Sequence, residues 1–168
     1  IFFKDWSSKG INYIEDLFDY RTKQFHTFQY LADLFDLSNK EIKILIVEDN
    51  KINQMITKKI LNKMDLYCDV VENGEDAVER VKSTAYNIVL MDIHMPGISG
   101  LEATKIIRTF DKELTIFALT AVTLEDKMHE FGEAGFDDII SKPFKQDDFE
   151  KKLYAALSGE KIVSSFFS

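Results

Sequence analysis

Five residues able to handle phosphate and a divalent cation stand where short apolar runs end. Glu48 and Asp49 follow Ile42–Val47, Asp92 follows Ile88–Met91, Thr120 follows Leu114–Leu119, and Lys142 comes just after Ile139 and Ile140. Three carboxylates drawn within a few ångströms of one another repel, and stay ionised together only if a cation or an ammonium group offsets their charge. Mg²⁺ suits that need, because it is a hard ion that takes oxygen ligands and keeps waters that a phosphate oxygen can replace. A carboxylate held in line with a phosphoryl donor is a nucleophile and forms an aspartyl phosphate, which is the role expected of Asp92. Lys142 and the Thr120 hydroxyl are expected to stabilise the other phosphoryl oxygens. Any one of these residues alone would read as a solvated turn residue, so the specificity lies in their convergence.

That convergence needs elements to produce it. From residue 41 onward, β-rich apolar runs alternate with segments of helical period, the pattern of βαβ units and a parallel sheet. In a doubly wound sheet, ligands bind beyond the carboxyl ends of the strands, where all five residues fall. The first helix is expected to bury Ile52, Met55, Ile56, Ile60 and Met64. Cys68–Val71 reads as the second strand. Asn73 reads as the cap of the next helix, with Glu75 and Asp76 in its first turn and Ala77, Val78 and Val81 inside. After Met95-Pro96-Gly97-Ile98-Ser99-Gly100, Ser99 and Glu102 fit a capping box, and Ala103, Ile106, Ile107 and Phe110 mark a buried stripe. A fourth helix is expected from about Thr123, with Leu124, Met128 and Phe131 inward and Gly135 as its end. Asp147–Leu157 reads as a fifth helix with Phe149, Leu153, Ala156 and Leu157 on one side.

Four blocks carry a resemblance to a known family: Val47-Glu48-Asp49-Asn50, Leu90-Met91-Asp92-Ile93-His94-Met95-Pro96, Leu119-Thr120-Ala121 and Ser141-Lys142-Pro143. In order and spacing they resemble the motifs of response-regulator receiver domains (CheY-like). The run Glu48 to Gln54 is especially similar to receiver modules of hybrid sensor histidine kinases. The resemblance covers residues 41–159. It implies a flavodoxin-like, five-stranded parallel sheet of order 2-1-3-4-5 with helices on both faces. It also implies Mg²⁺ held by Glu48, Asp49, Asp92 and the backbone carbonyl of His94, and a cis bond at Lys142-Pro143. The partner it implies is a histidine kinase or a histidine phosphotransfer protein, donating to Asp92 in a two-component phosphorelay. Such a domain catalyses only its own phosphorylation and dephosphorylation, so it is not expected to be an enzyme with a separate substrate. One position departs from the family: a Tyr or Phe three residues before the lysine is usual, and Ile139 stands there. The usual rotation of that ring cannot occur here.

Alternatives are weighed on the same residues. A phosphatase of the haloacid dehalogenase class needs a second carboxylate two residues after the nucleophile, where His94 stands. A flavodoxin-like cofactor binder needs a hydroxyl-rich or Gly-rich loop after the first strand in place of Glu48-Asp49-Asn50. An interaction-only pseudo-receiver is disfavoured by the intact acidic set. His94 shows no metal-ligand spacing with His26 or His129, so its side chain is expected on the rim of the site.

With 45% hydrophobic and 30% charged residues the chain is of soluble globular composition, and no apolar run approaches the ~20 residues of a membrane span. A formal net charge of -8 disfavours nucleic-acid binding, and no DNA-binding output domain is expected. The single cysteine, Cys68, is expected to be reduced and the setting cytoplasmic. Residues 1–39 carry ten aromatic side chains, with Ile11, Ile14, Leu17 and Phe18 at helical spacing, so residues 1–40 are expected to form a short helical appendage of two helices. Trp6, Gly10-Ile11, Asp16-Leu17-Phe18-Asp19 and Thr27-Phe28-Gln29 also resemble the region after the polymerase in LINE-type retrotransposon proteins, and nothing catalytic comes with that likeness. The tail at 160–168 is expected to fray.

Overall fold

Alternate residues of each strand pack into different layers, and this period of two builds the domain. In the computed structural model, which describes residues 41–121 and 127–157, Leu45, Val47, Val89, Met91, Ile116, Ala118 and Ile139 point into one core. Their neighbours Ile44, Ile46, Ile88, Leu90, Phe117, Leu119 and Ile140 point into another, on the opposite face of the sheet. Strands buried on both faces are continuous apolar runs, as parallel sheets require. Each large side chain buried in this way contributes about 1.5–3 kcal/mol.

The strands are β1 (Ile44–Val47), β2 (Cys68–Val71), β3 (Ile88–Asp92), β4 (Thr115–Thr120) and β5 (Asp138–Ser141), all parallel and ordered β2-β1-β3-β4-β5. The helices are α1 (Lys51–Lys63), α2 (Gly74–Ser83), α3 (Gly100–Arg108), α4 (Met128–Ala134) and α5 (Gln146–Leu157). The first core takes Ala77, Val78 and Val81 of α2, Ala103 and Ile107 of α3, and Phe131 and Ala134 of α4. The second takes Ile60 and Leu61 of α1 and Phe149, Leu153 and Tyr154 of α5. Helices therefore cover both faces. The expected sheet order, the helix caps at Asn73 and Ser99, and the end of α4 at Gly135 (φ 99°) are all found. The bond Lys142-Pro143 is cis, as expected. The helix positions expected at 123–126, the appendage at 1–40 and the tail at 160–168 lie outside the described residues.

Two helices are rotated from their expected faces. On α1, Ile52, Met55 and Ile56 are 68%, 70% and 44% exposed, whereas Gln54 and Thr57 are buried beside Ile60 and Leu61. The polar pair is buried because its groups are satisfied: Gln54 Nε2 donates to the Glu48 carbonyl at 2.7 Å, and Thr57 Oγ1 donates to the Asn53 carbonyl at 3.0 Å. On α3, Ala103 and Ile107 are buried as expected, joined by Thr104, but Ile106, and Phe110 just past the helix end, stand out in solvent. The Lys82 ammonium lies 5.8 Å from the centroid of the Phe110 ring.

Candidate functional site at the carboxyl ends of the strands

The site lies where β1 and β3 sit side by side, with Val47 opposite Met91 in register. This register brings the residues that follow, Glu48 and Asp92, to the same edge. Glu48 is 1% exposed and Asp92 6% exposed, and Asp49 is solvent-exposed at the mouth. Carboxylate oxygens of Glu48, Asp49 and Asp92 all lie within 4.8 Å of one another, which satisfies the reach of a single cation. On the far side, β4 and β5 are paired through Thr120 and Ser141, and the Lys142 amide donates to the Thr120 carbonyl at 2.8 Å. That bond seats the chain so that Lys142 turns back over β3. Its Nζ lies 2.7 Å from Glu48 Oε2 and 3.3 Å from Asp92 Oδ1. Thr120 closes the group at the last position of β4, 1% exposed.

The electrostatics follow from this crowding. For Asp92, burial pushes the carboxyl up, Lys142 pulls it back and the Glu48 carboxylate raises it again, leaving it at about 6. For Glu48, burial also raises the carboxyl, but the hydrogen bond from Lys142 and the amide of Asn50 outweigh it and hold the group below the ordinary carboxylate range. One ammonium serves two buried carboxylates, and a third carboxylate, that of Asp49, lies at the mouth. The surplus negative charge is what a divalent ion would neutralise, so the donor set fits a hard metal.

The loops around the pocket are shaped locally. Asn50 caps α1 by accepting the amides of Ile52 and Asn53, which turns the chain away immediately after the acidic pair. Beyond β3, a Cβ at position 100 would overlap the carbonyl oxygen of Asp92, so only glycine lets α3 begin against the strand end. The Gly100 amide donates to the Ile93 carbonyl at 3.0 Å, and Ser99 with Glu102 completes the capping box. All the expected side chains, Glu48, Asp49, Asp92, Thr120 and Lys142, gather here, and His94 is exposed beside them. His129, by contrast, lies on α4 with Glu133 at 3.7 Å. Gln54 was missed as part of the site's support, because a glutamine among helical apolar residues carries no sign that its amide reaches back to Glu48.

Comparison with known proteins agrees with this geometry. Residues 44–154 match the family described as "Response regulator receiver domain". The chain belongs to that family. It is 40% identical over 123 residues to hybrid signal transduction histidine kinase G of Dictyostelium discoideum, a match covering 70% of this chain and 4% of the kinase. The receiver domain of a Pseudomonas aeruginosa sensor histidine kinase, solved with a magnesium ion in its active site cleft, superposes with a TM-score of 0.64 at 30% identity, covering 71% of this chain and 99% of that one. The Saccharomyces cerevisiae complex of the phosphotransfer protein Ypd1 with the receiver domain of Ssk1 superposes with a TM-score of 0.65 at 30% identity, covering 74% of this chain and 94% of that one. Against the full length of three curated relatives, two histidine kinases and a transcription factor, the chain spans only 4–21%. Membership of the receiver family sets aside the dehalogenase and flavodoxin alternatives. Among the described residues, no helix is long and apolar enough to cross a membrane.

Proposed function

We propose that this receiver domain, residues 41–159, accepts a phosphoryl group from a phosphohistidine partner onto Asp92 and signals through the change in conformation that follows. The observation that carries the reading is the surplus of carboxylates around Asp92, with Lys142 Nζ 3.3 Å from its side chain. In the reaction, an Asp92 carboxylate oxygen bonds to phosphorus as the phosphorus–nitrogen bond of the donor imidazole breaks, and the imidazole keeps that electron pair. Asp92 is suited to this work because it is buried and fixed, yet ionised at neutral pH with its carboxyl at about 6. Lys142 and Thr120 supply an ammonium and a hydroxyl for the phosphoryl oxygens. Glu48, Asp49, Asp92 and the His94 carbonyl would hold Mg²⁺, which when bound offsets the charges of nucleophile and phosphate as they approach.

The donor on this reading is a histidine kinase or a histidine phosphotransfer protein. Support comes from the exposed apolar residues Ile52, Met55 and Ile56 on α1, the helix that starts directly after the acidic pair. Contiguous apolar surface of this kind marks protein contact. On this reading the domain acts on its own phosphate and has no separate substrate, nucleic acid is not a partner, and this segment does not insert in a membrane. The setting on this reading is cytoplasmic.

The test is incubation with acetyl phosphate and MgCl₂ followed by intact-mass measurement. A gain of one phosphoryl group is expected in the wild type and none in Asp92→Asn. Persistent labelling of Asp92→Asn would remove Asp92 from the role.

A further inference from the structure

The turn between β3 and α3 is held from the side by α2. Glu75, in the first turn of α2, accepts the backbone amide of Ile98 on Oε1 at 3.1 Å. The two segments interlock at two glycines. At Gly97 the backbone has φ +81°, and a Cβ there would lie 2.6 Å from Glu75 Oε1. At Gly74, beside Glu75, a Cβ would lie 2.6 Å from Ile98 Cγ1. The carboxylate therefore occupies the place that a side chain at 97 would take, and the turn rests on it. The ends of the turn are anchored separately, at Asp92 in β3 and at Gly100, whose amide donates to Ile93. Residues 94–98 bridge these anchors, and Glu75 holds the last of them, Ile98, with Gly97 packed against its carboxylate.

From this we infer that Glu75 is a positioning residue for the metal-binding turn, fixing the backbone that carries the His94 carbonyl without touching metal or phosphate. The inference rests on the reading of the site given above. Groups that orient a metal ligand from behind typically cost 10–100-fold in affinity when removed. Because Glu75 acts through one accepted hydrogen bond, its oxygen should matter more than its charge. Glutamine keeps an acceptor oxygen at the same reach, whereas alanine removes it.

Mg²⁺ titration of the full 168-residue chain by calorimetry, with amide hydrogen exchange of the metal-free protein, tests this. Glu75→Ala is expected to weaken Mg²⁺ about 10-fold. It should also speed exchange at Ile98 while the melting temperature stays close to that of the wild type. Glu75→Gln is expected to restore the affinity to within about twofold. Wild-type affinity in Glu75→Ala, or a Glu75→Gln as weak as Glu75→Ala, would overturn the inference and leave the site reading intact. A wild type that binds no Mg²⁺ at all would overturn both.

Discussion

The two ends of β5 each hold a buried lysine–carboxylate contact, and they are built to opposite rules. At the start of the strand Asp138, 4% exposed, accepts the Ile139 amide at 2.7 Å and lies 3.6 Å from Lys152. Lys152 in turn donates to the Ile139 carbonyl and has the half-exposed Asp148 at 3.7 Å. Each polar group there has a partner within the fold, and the lysine meets a single buried carboxylate, its second acid, Asp148, standing half in solvent. Past the other end of the strand, Lys142 faces Glu48 and Asp92 together, with Asp49 at the mouth. A fold optimised for stability alone would not keep this excess, because like charges in a dry site oppose one another. The difference separates a contact that ties α5 to the sheet from one left short of a cation, which on the proposed function serves the chemistry.

Three measurements would sharpen or break this contrast. Lys142→Ala should slow labelling by acetyl phosphate at saturating MgCl₂ by about 100-fold, the size expected for losing one preorganised group that meets developing charge. An unchanged rate would put Lys142 on the same footing as Lys152. Lys152→Ala should leave labelling unaltered and cost about 2–3 kcal/mol in urea unfolding, less than a fully buried pair because its side chain is 23% exposed. Loss of labelling in a folded Lys152→Ala protein would refute the division of roles. Asp92→Asn should instead stabilise the metal-free protein, by about 1–2 kcal/mol at pH 7. The sign follows from the direction of the shift. The Asp92 carboxyl rises from 3.8 to about 6 on folding, so its ionised form opposes folding above pH 6, and that penalty fades as the folded protein takes up the proton between pH 6 and 4. The stability gap between Asp92→Asn and the wild type should therefore close as pH falls from 7 to 4, as measured by denaturation in EDTA. A gap that widened on acidification would contradict it.

Most of the architecture was readable from residue order. Strand-length apolar runs such as Ile88–Met91 and Ile116–Leu119 leave little choice but a sheet buried on both faces, and the acidic, hydroxyl and amine groups mark the ends of four strands. What periodicity could not settle was the rotation of α1. Ile52, Met55 and Ile56 form as good a stripe as Ile60 and Leu61, and the burial of Gln54 depends on a hydrogen bond to Glu48 that exists only once β1 and α1 have docked. Ile106 and Phe110 failed for a related reason: a helix of nine residues needs only Ala103, Thr104 and Ile107 to cover its share of the sheet. The hold of Glu75 on Ile98 spans 23 positions and has no local pattern at all. Contacts of this sort are written in the packing of helices, not in any repeat along the chain.

The junction of Gly100 with Asp92 has a consequence for how this domain can change over time. Since any side chain there would collide with the carbonyl of Asp92 itself, position 100 is closed to drift even though it carries no charge and performs no chemistry. In a saturation library selected for labelling, its tolerance should match that of the ionisable residues, and the α3 end that abuts the sheet should accept fewer replacements than the half of the helix bearing Ile106.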